Sequence, residues 1–495
     1  MKDFPIVAVS TLTLLSLTSC NQKKTETVET TQLKPNVIFI LADDLGYGDI
    51  GCYGQQYIIT PNIDRLSAEG LRFTDHYAGC TVSAPSRCTL MTGFHTGHAQ
   101  IRGNKPASTM GVGALEGQFP MDDSTITVAD VFKKAGYQTG AFGKWGLGYP
   151  GSVGDPNNQG FDEFWGYNCQ REAHRYYPNH IWHNQEKVML EGNDNKHKVI
   201  YAPDVIHKQV LEFIKKNKNK PFFAFVPVIQ PHAELVVPDD SILTSYKGKF
   251  PEKPYIMQKG SGSDYGDKNF DKMKYCSQPI PHATFAAMVA RIDKYVGDIV
   301  ELVHGLGLDD NTIIIFSSDN GPHQEGGADP DYFNSNGNFR GYKRDVTDGG
   351  IRVPFIARWK GHIKPGTETN HVSAFWDFLP TVEDLIGQKE KIPTDGISFL
   401  PTLLGKSDQQ KEHQVLYWEF KEKGGRQAIR FGNWKALRLN MDKNPEAPIE
   451  LYDITNDNDE MKNVASEYPA IVKKANELMK EQRTANMNYP FTFEK

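Results

Sequence analysis

The chain has 495 residues, with 55 Lys and Arg against 61 Asp and Glu, a formal net charge of −6 and 39% hydrophobic residues. This length supports one large domain plus a smaller one, and the ordinary apolar and charged fractions exclude a wholly disordered chain. The mild acidity, without a basic stripe carrying interleaved aromatics, excludes a general nucleic-acid binder.

Residues 1–20 are expected to be an export signal: Lys2 supplies a weak positive start, and "FPIVAVSTLTLLSL" is apolar but short for a membrane span. It ends in "LTSC", which resembles the bacterial lipobox, so Cys20 is expected to carry a lipid anchor that holds an exported protein in the periplasm or at the outer membrane. Residues 21–33 are a polar tether. With Cys20 set aside, Cys52, Cys80, Cys88, Cys169 and Cys276 are odd in number and lack metal-type spacing, so mostly buried thiols are expected.

The run "NVIFILADDLGYGD" predicts a buried parallel strand that opens into an acidic loop. "TPNIDRLSAEG" (60–70) predicts a helix with Thr60 as cap and Pro61 in the first turn. "SAPSRCTLMTG" predicts a short helix stopping at Gly93. Helix patterns at 128–136, 202–217 and 281–307 alternate with strands at 138–143, 221–228, 312–321 and 353–359. That order implies an α/β fold: a mostly parallel central sheet with helices on both faces, spanning 34–405. "QVLYWEF", "QAIRFGNWKALRL" and "IELYDI", followed by a closing amphipathic helix, predict a smaller α+β unit with an antiparallel sheet over 406–495.

In open α/β sheets ligands gather beyond the carboxyl ends of the strands. Asp43 and Asp44 end the first strand and Asp319 and Asn320 follow "TIIIFSS", an all-oxygen set suited to calcium or magnesium. Taken alone, Ser83 reads as a helix cap and Arg87 as a surface residue. Arg87 nevertheless lies one helical turn after Ser83, so both can face one pocket. Lys144, His232 and Lys343 fall at other strand ends, on the same rim. A cation, an arginine, two lysines and a histidine around one serine suit a doubly charged tetrahedral ester.

With "SAPSR", "PNVIFILADDLGYGD", "GKWGLG", "QPHAEL", "SDNGPH" and "TDGGIRVP" in this order, the chain resembles the type I sulfatases of the alkaline-phosphatase-like superfamily. The resemblance implies that a radical-type maturase oxidises Ser83 to formylglycine. It also implies one calcium held by Asp43, Asp44, Asp319, Asn320 and residue 83, with Arg87, Lys144, His232 and Lys343 on the sulfate. A hydrated aldehyde then offers one hydroxyl to attack sulfur and a second to expel sulfate, with His232 or Lys343 protonating the departing oxygen. Many relatives carry a histidine where this chain has Gly146, which leaves that part of the chemistry unassigned.

The segment 166–184, "GYNCQREAHRYYPNHIWHN", is rich in residues that bind and stack on sugars, and Arg171 and His174 are the candidate substrate contacts. The resemblance extends to enzymes of sulfated carbohydrates, including 4-O-sulfated galactose or N-acetylgalactosamine. Two other readings stay open at this point: a phosphoric or phosphonate ester hydrolase, and a non-catalytic carbohydrate-binding lipoprotein.

Overall fold

The pattern of the first strand already shows how the molecule is layered. In the computed structural model, which describes Met1 and residues 34–110, 116–194, 197–257 and 275–494, all eight residues of Asn36–Asp43 are buried. Ile38, Ile40 and Ala42 enter one apolar core, while Val37, Phe39 and Leu41 enter another on the opposite face. A strand covered on both faces loses the usual polar alternation and reads as a continuous apolar run. The expected signal segment, tether and Cys20 lie outside the described residues.

In chain order the strands are β1 (Asn36–Asp43), β2 (Leu71–Phe73), β3 (His76–Tyr77), β4 (Gln138–Lys144), β5 (Glu163–Tyr167), β6 (His180–His183), β7 (Glu186–Met189) and β8 (Phe222–Pro231). They continue as β9 (Thr312–Ser318), β10 (Phe355–Arg358), β11 (Thr367–Thr369), β12 (Ser373–Ala374), β13 (Leu416–Phe420), β14 (Arg426–Phe431), β15 (Trp434–Arg438) and β16 (Ile449–Asp453). Ten form one sheet in the order β11-β2-β10-β9-β1-β8-β4-β5-β6-β7. The five central strands, β9 to β5, are parallel, as expected. The strand predicted at 353–359 forms as β10 but runs antiparallel to β9, because the loop between them, which carries two short helices, returns to the sheet from the carboxyl end of β9 without crossing it. The outer pairs β5–β6 and β6–β7 are also antiparallel, and β6 lies within the segment 166–184, where no strand was predicted.

Helices α1 (Pro61–Ala68), α2 (Ser83–Thr92), α3 (Val128–Lys134) and α4 (Ala202–Asn217), with the long helix Pro281–Gly305, fall where the periodicity places them. The Thr60 hydroxyl does not cap α1. It accepts the Gly51 N–H at 2.8 Å and donates to Asp64 at 3.2 Å, tying the preceding loop to the helix. Cys80 and Cys88 are buried thiols, Cys169 is buried, and Cys52 and Cys276 are half-buried.

Strands β13 to β16 form a separate antiparallel sheet, and helix Pro469–Glu481 packs beside it. Its other face reaches the half built on the large sheet: Leu416, Trp418 and Phe420 share a core with Tyr77, Cys80 and Val82, the segment leading into α2. The Trp418 indole donates to the Ala78 carbonyl at 2.9 Å, so the small sheet fixes where α2 begins.

Candidate active site

Four neighbouring parallel strands deliver their carboxyl ends to one place. β1 brings Asp43 and Asp44, β9 is followed by Asp319 and Asn320, β4 ends at Lys144, and β8 is followed by His232. Asp44 has φ of 63°, a left-handed turn that aspartate tolerates better than most residues. Its N–H donates to Asp319 Oδ1 at 3.1 Å, locking the two acidic tips together.

Ser83 is the first residue of α2, not its cap; Val82 holds the cap position in extended conformation. The serine hydroxyl is thereby freed from the helix and donates to Asp43 Oδ1 at 3.0 Å, with Lys144 Nζ 3.4 Å away. Arg87, one turn on, is fully buried and not the surface residue it resembles in isolation. Its Nε and one terminal nitrogen reach Asp319 Oδ2 at 3.2 and 2.9 Å, and the other terminal nitrogen donates to the Lys144 carbonyl. Gly93, with φ of 74°, ends the helix as predicted.

The remaining cations complete a buried lattice of charge. Lys144 Nζ lies 2.6 Å from Asp43 Oδ2. Lys343 Nζ lies 2.7 Å from Asp44 Oδ2 and 2.9 Å from His232 Nε2. Burial alone would raise the Asp43 pKa, but Lys144, His232, Arg87 and Lys343 hold it well below the usual carboxylate range. Asp319 moves the other way, up to about 6, because burial and the nearby Asp43 outweigh Arg87. Burial and Lys343 push His232 well below its ordinary value, so its neutral Nε2 accepts a hydrogen bond from Lys343 Nζ while Nδ1–H donates to the Ala233 carbonyl. Burial opposes the charge on Lys343, yet Asp44 and Glu325 keep its pKa raised.

These residues fit a hard divalent cation. The donors are all oxygens on buried side chains, and Asn320, which donates Nδ2–H to Asp44 Oδ1 at 2.6 Å, has its own Oδ1 buried without a partner among the described residues. A buried carbonyl oxygen left unmatched beside three carboxylates suits a metal ligand.

Of the two predicted substrate contacts, the structure brings one to the site. The His174 ring stacks on His232 with centroids 4.4 Å apart, and burial beside that ring lowers its pKa well below the ordinary value. Arg171 is half-buried at the turn before it, with its N–H on Cys169 Sγ at 3.3 Å; no contact with the charged cluster is among those described. Sequence reasoning missed Glu325 and Tyr275. Glu325 lies 3.5 Å from Lys343 and 2.9 Å from Arg344, and accepts the Tyr275 hydroxyl at 3.0 Å. Glu325 follows His323 by two residues, which was the available signal; Tyr275 offered none.

A family model described as Sulfatase matches residues 35–388, well over half of the chain. The chain belongs to the sulfatase family. A second model, N-sulphoglucosamine sulphohydrolase, C-terminal, matches 337–485. The chain is 29% identical to an N-acetylgalactosamine-6-O-sulfatase of Bacteroides thetaiotaomicron, over 94% of its own length and 97% of that protein's. It is 30% identical to human N-acetylgalactosamine-6-sulfatase, over 75% of this chain and 66% of the relative. Among solved structures, Ps i-CgsB in complex with k-i-k-neocarrahexaose matches with a TM-score of 0.73 and 28% identity, covering 91% of this chain and 93% of that one. As a sulfatase the protein is a sulfuric ester hydrolase.

Proposed function

We propose that this sulfatase cleaves sulfate esters of galactose-type or N-acetylgalactosamine sugars, using residue 83 after its oxidation to formylglycine. The observation that carries the reading is the Ser83 hydroxyl, set 3.0 Å from Asp43 and 3.4 Å from Lys144 at the start of a buried helix. A plain serine hydroxyl there is a poor nucleophile, whereas a hydrated aldehyde offers two hydroxyls on one carbon, one to attack sulfur and a second whose loss of a proton expels sulfate and restores the aldehyde. Calcium held by Asp43, Asp44, Asp319 and Asn320, when bound, supplies positive charge beside the attacking oxygen. Arg87, Lys144 and Lys343 face the sulfuryl oxygens and stabilise the charge that builds on them. As the ester S–O bond breaks, the Lys343–His232 pair supplies the proton to the departing sugar oxygen. The relatives' names and the aromatic and basic segment around His174 support a sugar on that side.

The same proposal includes export through residues 1–20, lipid attachment at Cys20 and maturation by a radical-type maturase. Protein made in a host with that maturase should show residue 83 lighter than serine by two hydrogens. It should also release sulfate from a panel of 4-O- and 6-O-sulfated galactose and N-acetylgalactosamine. Unmodified serine together with no sulfate release from the panel would overturn the reading.

A further inference from the structure

Helix α2 begins without a local side chain to cap it. Its cap position is Val82, which carries no acceptor, and Pro85 in the first turn has no N–H to satisfy. The Ser86 N–H reaches the Val82 carbonyl at 3.3 Å. Ala84, the second helical residue, is buried and carries one of the amides that a capping side chain ordinarily takes. That amide donates instead to Asn104 Oδ1 at 3.1 Å, 20 residues further along the chain.

Asn104 is itself exposed, but the chain on either side of it is tied down. Arg102 is buried and donates to Glu419 of β13 at 2.9 Å and to the Thr484 carbonyl at 2.8 Å. Asn486 Nδ2 donates to the Gln100 carbonyl at 3.0 Å, and the Phe119 N–H to the Lys105 carbonyl at 2.7 Å. The position of the Asn104 amide is therefore set largely by the C-terminal unit. The Ala84 N–H belongs to the peptide plane that follows residue 83, so ψ of residue 83 decides where it points. Were the helix to start one residue later, Ser83 would be its cap, with extended backbone and its oxygen on the Ser86 N–H. That change of ψ would swing the Ala84 N–H away from Asn104 and take the Ser83 oxygen from Asp43, its partner at 3.0 Å.

We infer that Asn104 is a positioning residue: by holding the Ala84 amide it keeps residue 83 helical, with its side-chain oxygen on Asp43 and not on its own helix. The inference rests on the sulfatase reading, since it concerns how the reacting residue is presented. Asn104 acts through its acceptor oxygen, so an aspartate can replace it and an apolar side chain cannot.

Asn104→Leu removes the acceptor at an exposed position, where no core is opened, and Asn104→Asp keeps it. Rates are taken per formylglycine, with its content in each matured protein measured by mass spectrometry. On an aryl sulfate, kcat of Asn104→Leu should fall roughly two- to thirtyfold, the size of one lost cap, while KM stays at the wild-type value. Asn104→Asp should bring kcat back close to wild type. Deuterium exchange of the peptide covering residues 80–93, followed in unmatured protein, should quicken in Asn104→Leu and return to the wild-type rate in Asn104→Asp. Unchanged kcat in Asn104→Leu overturns the assignment, as does unchanged exchange of that peptide. An equal loss of kcat in both variants also overturns it, because the acceptor is then not what matters. So does a raised KM with kcat kept in Asn104→Leu, which marks a substrate contact. Failure of the sulfatase reading shows separately, as absence of sulfate release by the matured wild type, while the exchange measurement still tests the cap.

Discussion

Ser83 shows how a residue's role depends on one step of helix register. Were it the cap, its oxygen would be spent on a backbone N–H one turn ahead. As the first helical residue it leaves that duty undone and reaches Asp43 instead. Ser83→Ala should therefore leave the thermal midpoint close to wild type while sulfate release drops to background, measured by ion chromatography of the matured protein. Asp49 makes a different kind of prediction. It is buried and accepts the Gly46 N–H at 2.7 Å through Oδ2, and burial raises its pKa to about 7 against the opposing pull of Ser335 and the Gly46 N–H. A carboxyl whose folded pKa exceeds its unfolded value holds its proton more firmly in the native state. Its stabilising contribution is complete below about pH 4 and is lost as pH rises through about 7. Asp49→Asn fixes the uncharged form and keeps a carbonyl oxygen for the Gly46 N–H. Its thermal midpoint should exceed that of wild type at pH 8, by the equivalent of roughly 3–4 kcal/mol at most, with the gap closing toward pH 4.

Among the elements, the small sheet's hold on the loop after Lys343 is the most exposed to a single change. Lys435 of β15 is fully buried and pairs with Asp348, at the start of the turn Asp348–Ile351, and with Glu460 at 2.8 Å. Glu460 also accepts the Asp348 N–H at 2.7 Å, so one lysine serves two buried carboxylates. Lys435→Met removes the only cation of this trio and should cost about 3–5 kcal/mol, seen as a lower urea midpoint. The loss should ease as pH falls, because burial and Asp348 already raise Glu460 to about 6 and a protonated Glu460 no longer needs the lysine. The neighbouring β10 teaches a related lesson about reading elements. Its apolar run identified a strand correctly but not its direction, since direction is set by the length and path of the connection.

At the scale of the whole molecule, the central sheet works as a frame that brings the acidic tips of two strands, β1 and β9, side by side. Three buried carboxylates and an unmatched Asn320 oxygen then meet between cations from α2, β4 and the loop holding Lys343. Calcium added to chelator-treated protein should raise the thermal midpoint, by about 2.7 kcal/mol of linkage at a hundredfold excess over Kd. Asn320→Ala should shrink that rise in differential scanning fluorimetry without preventing folding. An unchanged midpoint across the calcium titration would argue against the cation.

The sequence by itself determined the layered α/β class, the central parallel strands and the charged core of the site. Apolar runs ending in Asp, Lys or His are local signals, and the carboxyl edge of a parallel sheet gathers them without further information. What it left open is what depends on partners distant in the chain. The register that frees the Ser83 hydroxyl rests on β13 packing beneath Tyr77 and Val82, more than three hundred residues apart in sequence. Glu325 and Tyr275 join the site through loop paths with no periodicity to read. Gly146 looked like a missing side chain. Only the tertiary structure shows its place taken by Gln170, because filling a volume is a property of packed neighbours and not of a residue's position in the chain.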